Sequence, residues 1–166
     1  MRTRPWLLLL MLSLVGLVGC DHATKLGAER ELRGQPPAHV LPGVDLEYRQ
    51  NPGVAFNVER ALPAGGRTAL IVGVGVLAMG LLGAALWRRR GTISLETAGL
   101  ALVAAGALGN LLDRLLRGYV VDFIHVHHWP VWNVADAWIA LGVAALLLGR
   151  RAPAASPPAA PTPAPA

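Results

Sequence analysis

Four apolar stretches follow one another along the chain, each bounded by charged or polar residues. A transmembrane helix needs about 20 predominantly apolar residues, with a range of roughly 17–25. The second stretch meets this length without a single charge, whereas the other three reach it only with flanking polar residues. We therefore predict four transmembrane helices, at about residues 6–25, 68–87, 93–114 and 133–149.

Arginines flank these helices in a pattern that predicts their orientation. Arginines near the N-terminus, at 88–90 and at 150–151 all fall on one side of the membrane if four helices alternate in direction. Lys and Arg close to helix ends favour the cytoplasmic side. Both termini are therefore predicted to be cytoplasmic, and the connections at about 26–67 and 115–133 to be extracytoplasmic.

The first extracytoplasmic connection has the pattern of a small β structure. Pro36-Pro37, Pro42-Gly43 and Asn51-Pro52-Gly53 are turn signals. Between them, residues 44–48 alternate apolar and polar side chains, as a strand does. The predicted fold is therefore an all-α integral membrane protein with four transmembrane helices and a small extracytoplasmic β cradle in this first outer loop.

The C-terminal segment differs in composition from the rest of the chain. Residues 152–166 are mainly proline and alanine and carry no charge. Such a segment cannot bury enough apolar surface to fold. We predict one membrane domain over residues 1–151 and a disordered cytoplasmic tail over residues 152–166.

The overall composition agrees with a membrane protein. Hydrophobic residues make up 54% of the chain and charged residues 15%, whereas soluble domains carry about 25% charged residues. One cysteine excludes a disulfide framework and any multi-cysteine metal site. A net charge of +5 in so hydrophobic a chain favours membrane lipids over nucleic acid as partners.

Polar residues collect at the predicted extracytoplasmic ends of the helices. Ionisable groups in or near hydrocarbon are costly, and they are therefore candidates for function. The set comprises Asp21, Lys25, Asn51, Asn110, Asp113, Arg114, Asp122, Asn133 and Asp136. Both a hydrolase and a proton-linked transporter use such groups. A transporter, however, needs polar residues through the depth of the membrane, and the inner halves of these helices are nearly free of them.

The spacing within this set predicts ion pairs that brace a polar pocket. Asp21 and Lys25 are four residues apart and so lie on one helical face. Asn110, Asp113 and Arg114 share a face of the third helix by the same rule. We expect Asp21 to pair with Lys25, and Asp113 to pair with Arg114.

Asp122 and Asp136 differ from the other acids, since no cation lies within four residues of either. Asp122 stands in the apolar run 120–124, where burial would raise its pKa. Asp136 opens the fourth helix three residues after Asn133, a potential N-cap, and a helix N-terminus favours a charged carboxylate. Two carboxyl groups in such contrasting environments can share one proton, as in aspartic proteases, so that one activates water and the other protonates a carbonyl oxygen.

The N-terminal stretch also permits a different interpretation. Leu17-Val18-Gly19-Cys20, behind an apolar stretch with N-terminal arginines, has the pattern of a lipoprotein signal peptide, which would make the chain a substrate. A lipoprotein's mature part is normally soluble, however, and three more apolar stretches follow here. We therefore expect this segment to be retained as the first helix.

A histidine cluster lies close to Asp122. His125, His127 and His128 could in principle bind a metal, but no helical H-E-x-x-H pattern and no nearby cysteine accompany them. Histidines beside Trp129 are typical of a membrane surface. We therefore expect no metal site.

Segments from the first predicted helix to the fourth match the motifs of one known family. The matching segments are residues 21–25, 51–56, 105–115, 118–123 and 133–136. In this order and on this topology, they resemble the bacterial lipoprotein signal peptidases, also called signal peptidase II. Residues 105–115 follow the family signature of the third helix at every position.

The resemblance implies an aspartic endopeptidase of the bacterial cytoplasmic membrane that acts at its extracytoplasmic face, and we expect a monomer. Its substrates would be prolipoproteins, cleaved just before a cysteine that already carries a diacylglyceryl group. Asp122 and Asp136 would be the catalytic dyad, without a metal or organic cofactor. The residues implied to surround the dyad are Asp21, Lys25, Asn51, Gly53, Asn110, Asp113, Arg114 and Asn133.

Some residues near the implied pocket depart from the family pattern. His22 stands where the family often has Gln, and Pro52 where Thr is common. Trp132 replaces a usual Phe, and Ala137-Trp138 follows Asp136 where a small polar residue is frequent. These departures leave substrate preference open and do not affect the dyad.

Overall fold

Four helices and three strands make up the computed structural model, which describes residues 5–53, 64–89 and 91–149. In chain order the elements are α1 (Pro5–Leu32), β1 (Ala38–Leu41), β2 (Val44–Asn51), α2 (Ala64–Arg88), α3 (Leu95–Arg117), β3 (Val120–Val126) and α4 (Val134–Gly149). The predicted tail over residues 152–166, the arginines at 150–151 and the motif residues 54–56 lie outside the described part of the chain.

Within the described residues, three helices are long and apolar enough to cross a membrane, namely α1, α2 and α3. The predicted fourth span corresponds to α4, an apolar helix of 16 residues. At 1.5 Å per residue α4 is about 24 Å long, which is less than the roughly 30 Å of the hydrocarbon core. Three of the four predicted spans are therefore helices of membrane-spanning length, and the fourth is a shorter apolar helix.

Helix α1 extends beyond its predicted end at residue 25. It contains 28 residues and ends at Leu32, so it is about 42 Å long and exceeds the hydrocarbon core by some two turns. Glu29 in its last turn pairs at 3.2 Å, with an i, i+4 spacing, with Arg33, which directly follows the helix. A hydropathy criterion ends the predicted helix at its first charged residues. The helix itself continues, because Glu and Arg are good helix formers.

The cradle is a three-stranded antiparallel sheet in the order β1-β2-β3. The predicted strand at 44–48 is confirmed as part of β2. The prediction that the cradle belongs to the first outer loop alone is wrong, because β3 comes from the second connection. Asn51 and Val120 are register partners, as are Arg49 and Asp122. The sheet therefore joins the two connections that the polar residues occupy.

Helix α3 contacts each of the other three helices, and glycines bring its backbone close to that of α4. A Cβ atom on Gly106 would lie against the carbonyl oxygen of Ala135, and one on Gly142 would lie 2.6 Å from the carbonyl oxygen of Gly99. Side chains near the end of α3 therefore reach the first turn of α4 directly.

A glycine also directs the chain from α3 into the sheet. Gly118 has φ 79° and its N–H donates to the carbonyl oxygen of Arg114, which is the left-handed cap that glycine adopts without steric cost. The helix ends sharply there, and β3 begins two residues later. Asp122 on β3 consequently lies beside the end of α3.

We expect Gly106→Ala to destabilise the fold, because the added methyl group collides with the backbone of α4. Overpacking of this kind costs about 1–3 kcal/mol. Gly80→Ala on α2 is the matched control, since nothing lies within 4 Å of the position that its added methyl group would take, and a helical Gly→Ala change in open space stabilises by about 0.4–1 kcal/mol. Thermal unfolding in detergent should shift in opposite directions for the two variants, and equal shifts would contradict the close α3–α4 contact.

Candidate active site

A buried lysine is the centre of the polar cluster. Lys25 has 0% of its surface exposed. Its Nζ lies 2.8 Å from Asp21 Oδ2, 3.0 Å from Asp113 Oδ2 and 3.0 Å from Asn110 Oδ1. An ammonium group has three protons to donate, so these three acceptors satisfy it. The predicted pairing of Asp21 with Lys25 is confirmed.

The two acids of this cluster also bind the backbone of other elements. Asp21 Oδ1 accepts a hydrogen bond from the N–H of Ala135 at 2.9 Å, in the first turn of α4. Asp113 Oδ2 accepts one from the N–H of Val121 at 3.3 Å, on β3. Lys25 and its two acids therefore connect α1, α3, β3 and α4, which carry Asn110, Arg114, Asp122 and Asp136.

The prediction that Asp113 pairs with Arg114 is wrong, because adjacent residues of a helix point about 100° apart. The cations near Asp113 in the described structure are Lys25, at 3.0 Å, and Arg117, whose Nη1 lies 3.5 Å from Asp113 Oδ1. Arg117 was missed by the sequence argument, although its i, i+4 spacing from Asp113 was available as a signal.

Arg114 instead fixes the loop after β2. Its Nη2 donates to the carbonyl oxygen of Gly53 at 2.8 Å, and its Nη1 donates to that of Asn110 at 3.1 Å. The N–H of Gly53 in turn donates to Asn51 Oδ1 at 3.1 Å. Because the side-chain oxygen of Asn51 is held in this way, its amide nitrogen points towards Asp122.

Asp122 is buried on β3, with 4% of its surface exposed. Its two carboxyl oxygens accept hydrogen bonds from Asn51 Nδ2 at 2.9 Å and from Asn133 Nδ2 at 2.6 Å. Burial raises the pKa of Asp122 above its ordinary value, and the two amide donors only partly offset this effect. The predicted direction of this pKa shift is confirmed.

Asp136 lies in the first turn of α4, where it forms a reciprocal cap with Asn133. The Asn133 side-chain oxygen accepts from the N–H of Asp136 at 3.1 Å, and Asp136 Oδ2 accepts from the N–H of Asn133 at 3.3 Å. This is a capping box, so the predicted N-cap role of Asn133 is confirmed. Asp136 Oδ1 accepts a further hydrogen bond from Asn110 Nδ2 at 2.8 Å.

Two asparagines join these parts into one network. Asn133 contacts both Asp122 and Asp136, and its Nδ2 lies 3.3 Å from Asn110 Oδ1. Asn110 connects Asp136 to Lys25. The structure thus brings the predicted residues together, and they are Asp21, Lys25, Asn51, Gly53, Asn110, Asp113, Arg114, Asp122, Asn133 and Asp136.

The histidines lie at the outer end of the sheet, away from this network, and contact acids of β2. His125 Nδ1 is 3.7 Å from Glu47 Oε1, and His127 Nε2 is 3.6 Å from Asp45 Oδ2. His39 Nδ1 lies 2.5 Å from Asp45 Oδ1 and lowers the pKa of that carboxyl group. In residues 5–53, 64–89 and 91–149, no group of three or more His, Cys, Asp or Glu side chains is placed to hold a metal ion.

Each of the two linked carboxyl groups opens into its own groove. Asp122 lines a groove of about 400 Å³ together with Asn51 and Pro130. Asp136 lines another of about 540 Å³ together with Trp132 and Ala140. Apolar helices of membrane-spanning length, with two adjacent carboxyl groups reachable from outside, define a membrane protein equipped for acid–base chemistry.

Comparison with known proteins identifies the particular family. A family model described as Signal peptidase (SPase) II matches residues 13–150. The chain is 40% identical over 151 residues to a lipoprotein signal peptidase of Methylobacterium sp. (strain 4-46), covering 87% of this chain and 89% of that one. It is 36% identical over 133 residues to one from Geobacter metallireducens, covering 77% and 81%. The chain belongs to the signal peptidase II family.

The fold also agrees with that of a solved structure. A bacterial membrane enzyme determined at 1.9 Å resolution superposes with a TM-score of 0.71 at 24% sequence identity, covering 86% of this chain and 92% of that one. At this level of identity the agreement concerns the fold. It shows that helices and cradle are arranged here as in a known membrane enzyme.

Proposed function

We propose that Asp122 and Asp136 are the catalytic dyad with which this chain hydrolyses its substrate. As a member of the signal peptidase II family, the chain is a membrane aspartic peptidase that removes signal peptides from lipoproteins. The observation that carries the assignment of the dyad is the shared contact with Asn133, whose side-chain amide donates to the Asp122 carboxyl group and whose backbone N–H donates to that of Asp136. Among the residues that the structure describes, no other pair of carboxyl groups accepts hydrogen bonds from one and the same neutral residue.

The surroundings of the two acids support different roles in one reaction. Asp122 is buried and its pKa is raised, so we assign to it the proton that is donated to the scissile carbonyl oxygen. Asp136 is half-buried at a helix N-terminus and accepts two N–H groups, which stabilise a negative charge. We assign to Asp136 the task of taking a proton from the attacking water. At the end of the first step, Asp122 is ionised and Asp136 is protonated, so the dyad still carries one proton.

The remaining candidate residues support the dyad in two groups. Asn51, Gly53, Arg114 and Asn133 hold and orient Asp122 through direct or relayed hydrogen bonds. Asp21, Lys25, Asn110 and Asp113 hold the ends of the helices against the sheet. We propose that the first group affects turnover directly, whereas the second affects it through the stability of the fold.

The position of the network along the helices supports a topology with the site at one membrane face. Asp21 and Asp113 lie in the C-terminal halves of α1 and α3, and Asp136 lies in the first turn of α4. These ends coincide if α1, α3 and α4 each cross the membrane. We place this end at the extracytoplasmic face of the bacterial cytoplasmic membrane, with both termini cytoplasmic. A monomer suffices for this site, because every contact described is made within one chain.

The proposed function is tested with purified protein in detergent micelles. The substrates are a prolipoprotein whose cysteine carries diacylglyceryl and the same precursor without lipid, and loss of the signal peptide is followed by gel shift. We expect cleavage of the lipidated precursor, before the modified cysteine. Folded protein that cleaves neither precursor would contradict the proposal and would favour a proton-linked transporter or an inactive relative.

We expect Asn51→Ala to lower kcat by about 10- to 100-fold, because a hydrogen bond to a charged group is worth about 1.5–3 kcal/mol. The Asn51 amide stabilises the ionised form of Asp122. Its removal therefore raises the pKa of Asp122, and the alkaline limb of the pH–rate profile should move to higher pH. Gln35→Ala is the control, since Gln35 is exposed in the turn between α1 and β1. A slower Asn51→Ala enzyme with an unmoved alkaline limb would argue against Asp122 as the proton donor.

A further inference from the structure

Two grooves of different polarity flank the segment Pro130–Trp132. On one side, Arg49, Gln50, Asn51 and Asp122 line the more polar groove. On the other side, Asp136 is the one charged residue in a lining otherwise formed by Trp129, Trp132, Ala137, Ala140 and Leu141. The two carboxyl groups of the dyad are thus reached from chemically different directions.

We infer that the apolar groove along α4 receives an acyl chain of the substrate's diacylglyceryl group, and that Ala140 sets how deeply this chain can enter. The inference rests on the proposed function, because it takes Asp136 as a member of the dyad. The lipid is attached at the residue directly after the scissile bond, so it must lie within a few ångströms of the dyad. Of the two grooves, the one at Asp136 matches its apolar chemistry.

The course of the groove fits a linear chain. Asp136, Ala137, Ala140 and Leu141 follow one face of α4, and their spacing carries the groove along the helix away from the carboxylate. Both alanines end in a single methyl group, so they leave space that a larger side chain would fill. Trp129 and Trp132 form the opposite wall at the level of the first turn.

The hydrophobic segment of a signal peptide is a poorer fit for the same groove. In an apolar environment such a segment must satisfy its backbone by forming a helix, and a helix with side chains is about 10–12 Å wide. A groove of about 540 Å³ has room for roughly one turn of such a helix. A hydrocarbon chain has no polar groups to satisfy and needs no such width.

The more polar groove then accommodates the residues that follow the lipidated cysteine. It contains the guanidinium group of Arg49 and the amide of Gln50, which can hydrogen-bond to an extended backbone. On this assignment the lipid and the mature chain leave the scissile bond on opposite sides of Pro130–Trp132. Selectivity for acyl chain length therefore depends on residues of α4 and not on the sheet.

The test compares two lipidated precursors that differ only in acyl length, one with 16 carbons and one with 8, in full-length protein. We expect Ala140→Phe to raise KM for the longer lipid by about tenfold or more, since a filled hydrophobic pocket discriminates by this factor per excluded group. KM for the shorter lipid should rise by less than about threefold, with kcat for both near that of the unmodified protein. Detergent tails are as apolar as the groove, so transfer of the substrate lipid from the micelle to the groove brings no hydrophobic gain. The rise in KM therefore reflects the loss of space for the longer acyl chain.

Ala84→Phe is the matched control, because Ala84 is exposed like Ala140 but lies on α2 and lines neither groove. Both precursors should be cleaved by this variant as by the unmodified protein. If Ala140→Phe does not fold, Ala140→Leu carries the test with a smaller change of the same sign. The inference is overturned if a folded Ala140 variant leaves KM unchanged for both lipids or raises it by the same factor for both. Unmodified protein that cleaves neither precursor overturns the proposed function and this inference with it.

Discussion

Asp122→Asn and Asp136→Asn should each reduce cleavage of a lipidated prolipoprotein by about 10³-fold or more, since general acid–base catalysis contributes roughly 10²–10⁴-fold and each variant disables one half of the proton exchange. Asparagine retains the size of aspartate and still offers one oxygen to the neighbouring amides. The measurement is the single-turnover rate in detergent, with the thermal unfolding temperature recorded for the same samples.

A third carboxylate serves as the control for these two variants. Asp45 is buried on the same sheet, but it contacts His39 and His127 and lies outside the network around Asn133. Asp45→Asn should therefore cleave the precursor at close to the unmodified rate. Retained turnover in both Asp122→Asn and Asp136→Asn would disprove the dyad, whereas loss of turnover in Asp45→Asn as well would point to damage of the sheet.

Lys25→Met should destabilise the protein by about 3–5 kcal/mol, because removal of one partner leaves an uncompensated buried charge. The side chains of Asp21 and Asp113 are at most 1% exposed, so water cannot replace the lost ammonium. Since 1 kcal/mol corresponds to roughly 2–4 °C for a chain of this size, we expect the unfolding temperature in detergent to fall by roughly 6–20 °C. Expression in the membrane should fall with it.

Arg33→Met, directly after the same helix, is the matched control. Its side chain is 59% exposed in the pair with Glu29, and an exposed pair contributes about 0–1 kcal/mol. A triple variant with Lys25→Met, Asp21→Asn and Asp113→Asn removes all three charges together and should recover part of the lost stability. An unfolding temperature of Lys25→Met equal to that of Arg33→Met would show that the buried cluster does not hold the helices.

Much of the candidate site followed from spacing and hydropathy. The Asp21–Lys25 pair is an i, i+4 pair on one helix, and the Asn133 cap lies three residues before Asp136, so both depend on local geometry that a sequence displays. The raised pKa of Asp122 followed from the apolar residues on either side of it. The strand at residues 44–48 could be predicted because its apolar and polar side chains alternate with a period of two, which a helix does not show.

Other features depended on the packing of distant segments. The true partners of Asp113 are Lys25 on another helix and Arg117 one turn away, whereas Arg114 reaches across to the Gly53 carbonyl. The pairing of Asp113 with Arg114 had been predicted because these opposite charges are adjacent in the sequence. The strand β3 was missed because its run Val120–Val126 shows no alternation, and both faces of its first half are buried. The last two turns of α1 contain charged residues, so a hydropathy criterion did not include them in the predicted helix.

By itself, the sequence determined the membrane class, the positions of the apolar helices and the identity of the polar residues, because each of these depends on composition or on a local period. Only the tertiary structure decided which carboxylates share Asn133, which of them share Lys25, and which grooves they open into. The physical reason is that a hydrogen bond between α1 and α4, or between β2 and β3, depends on atoms some 70 to 110 residues apart. Close backbone contact at Gly106 and Gly142 brings those atoms within reach, and no local pattern encodes that distance.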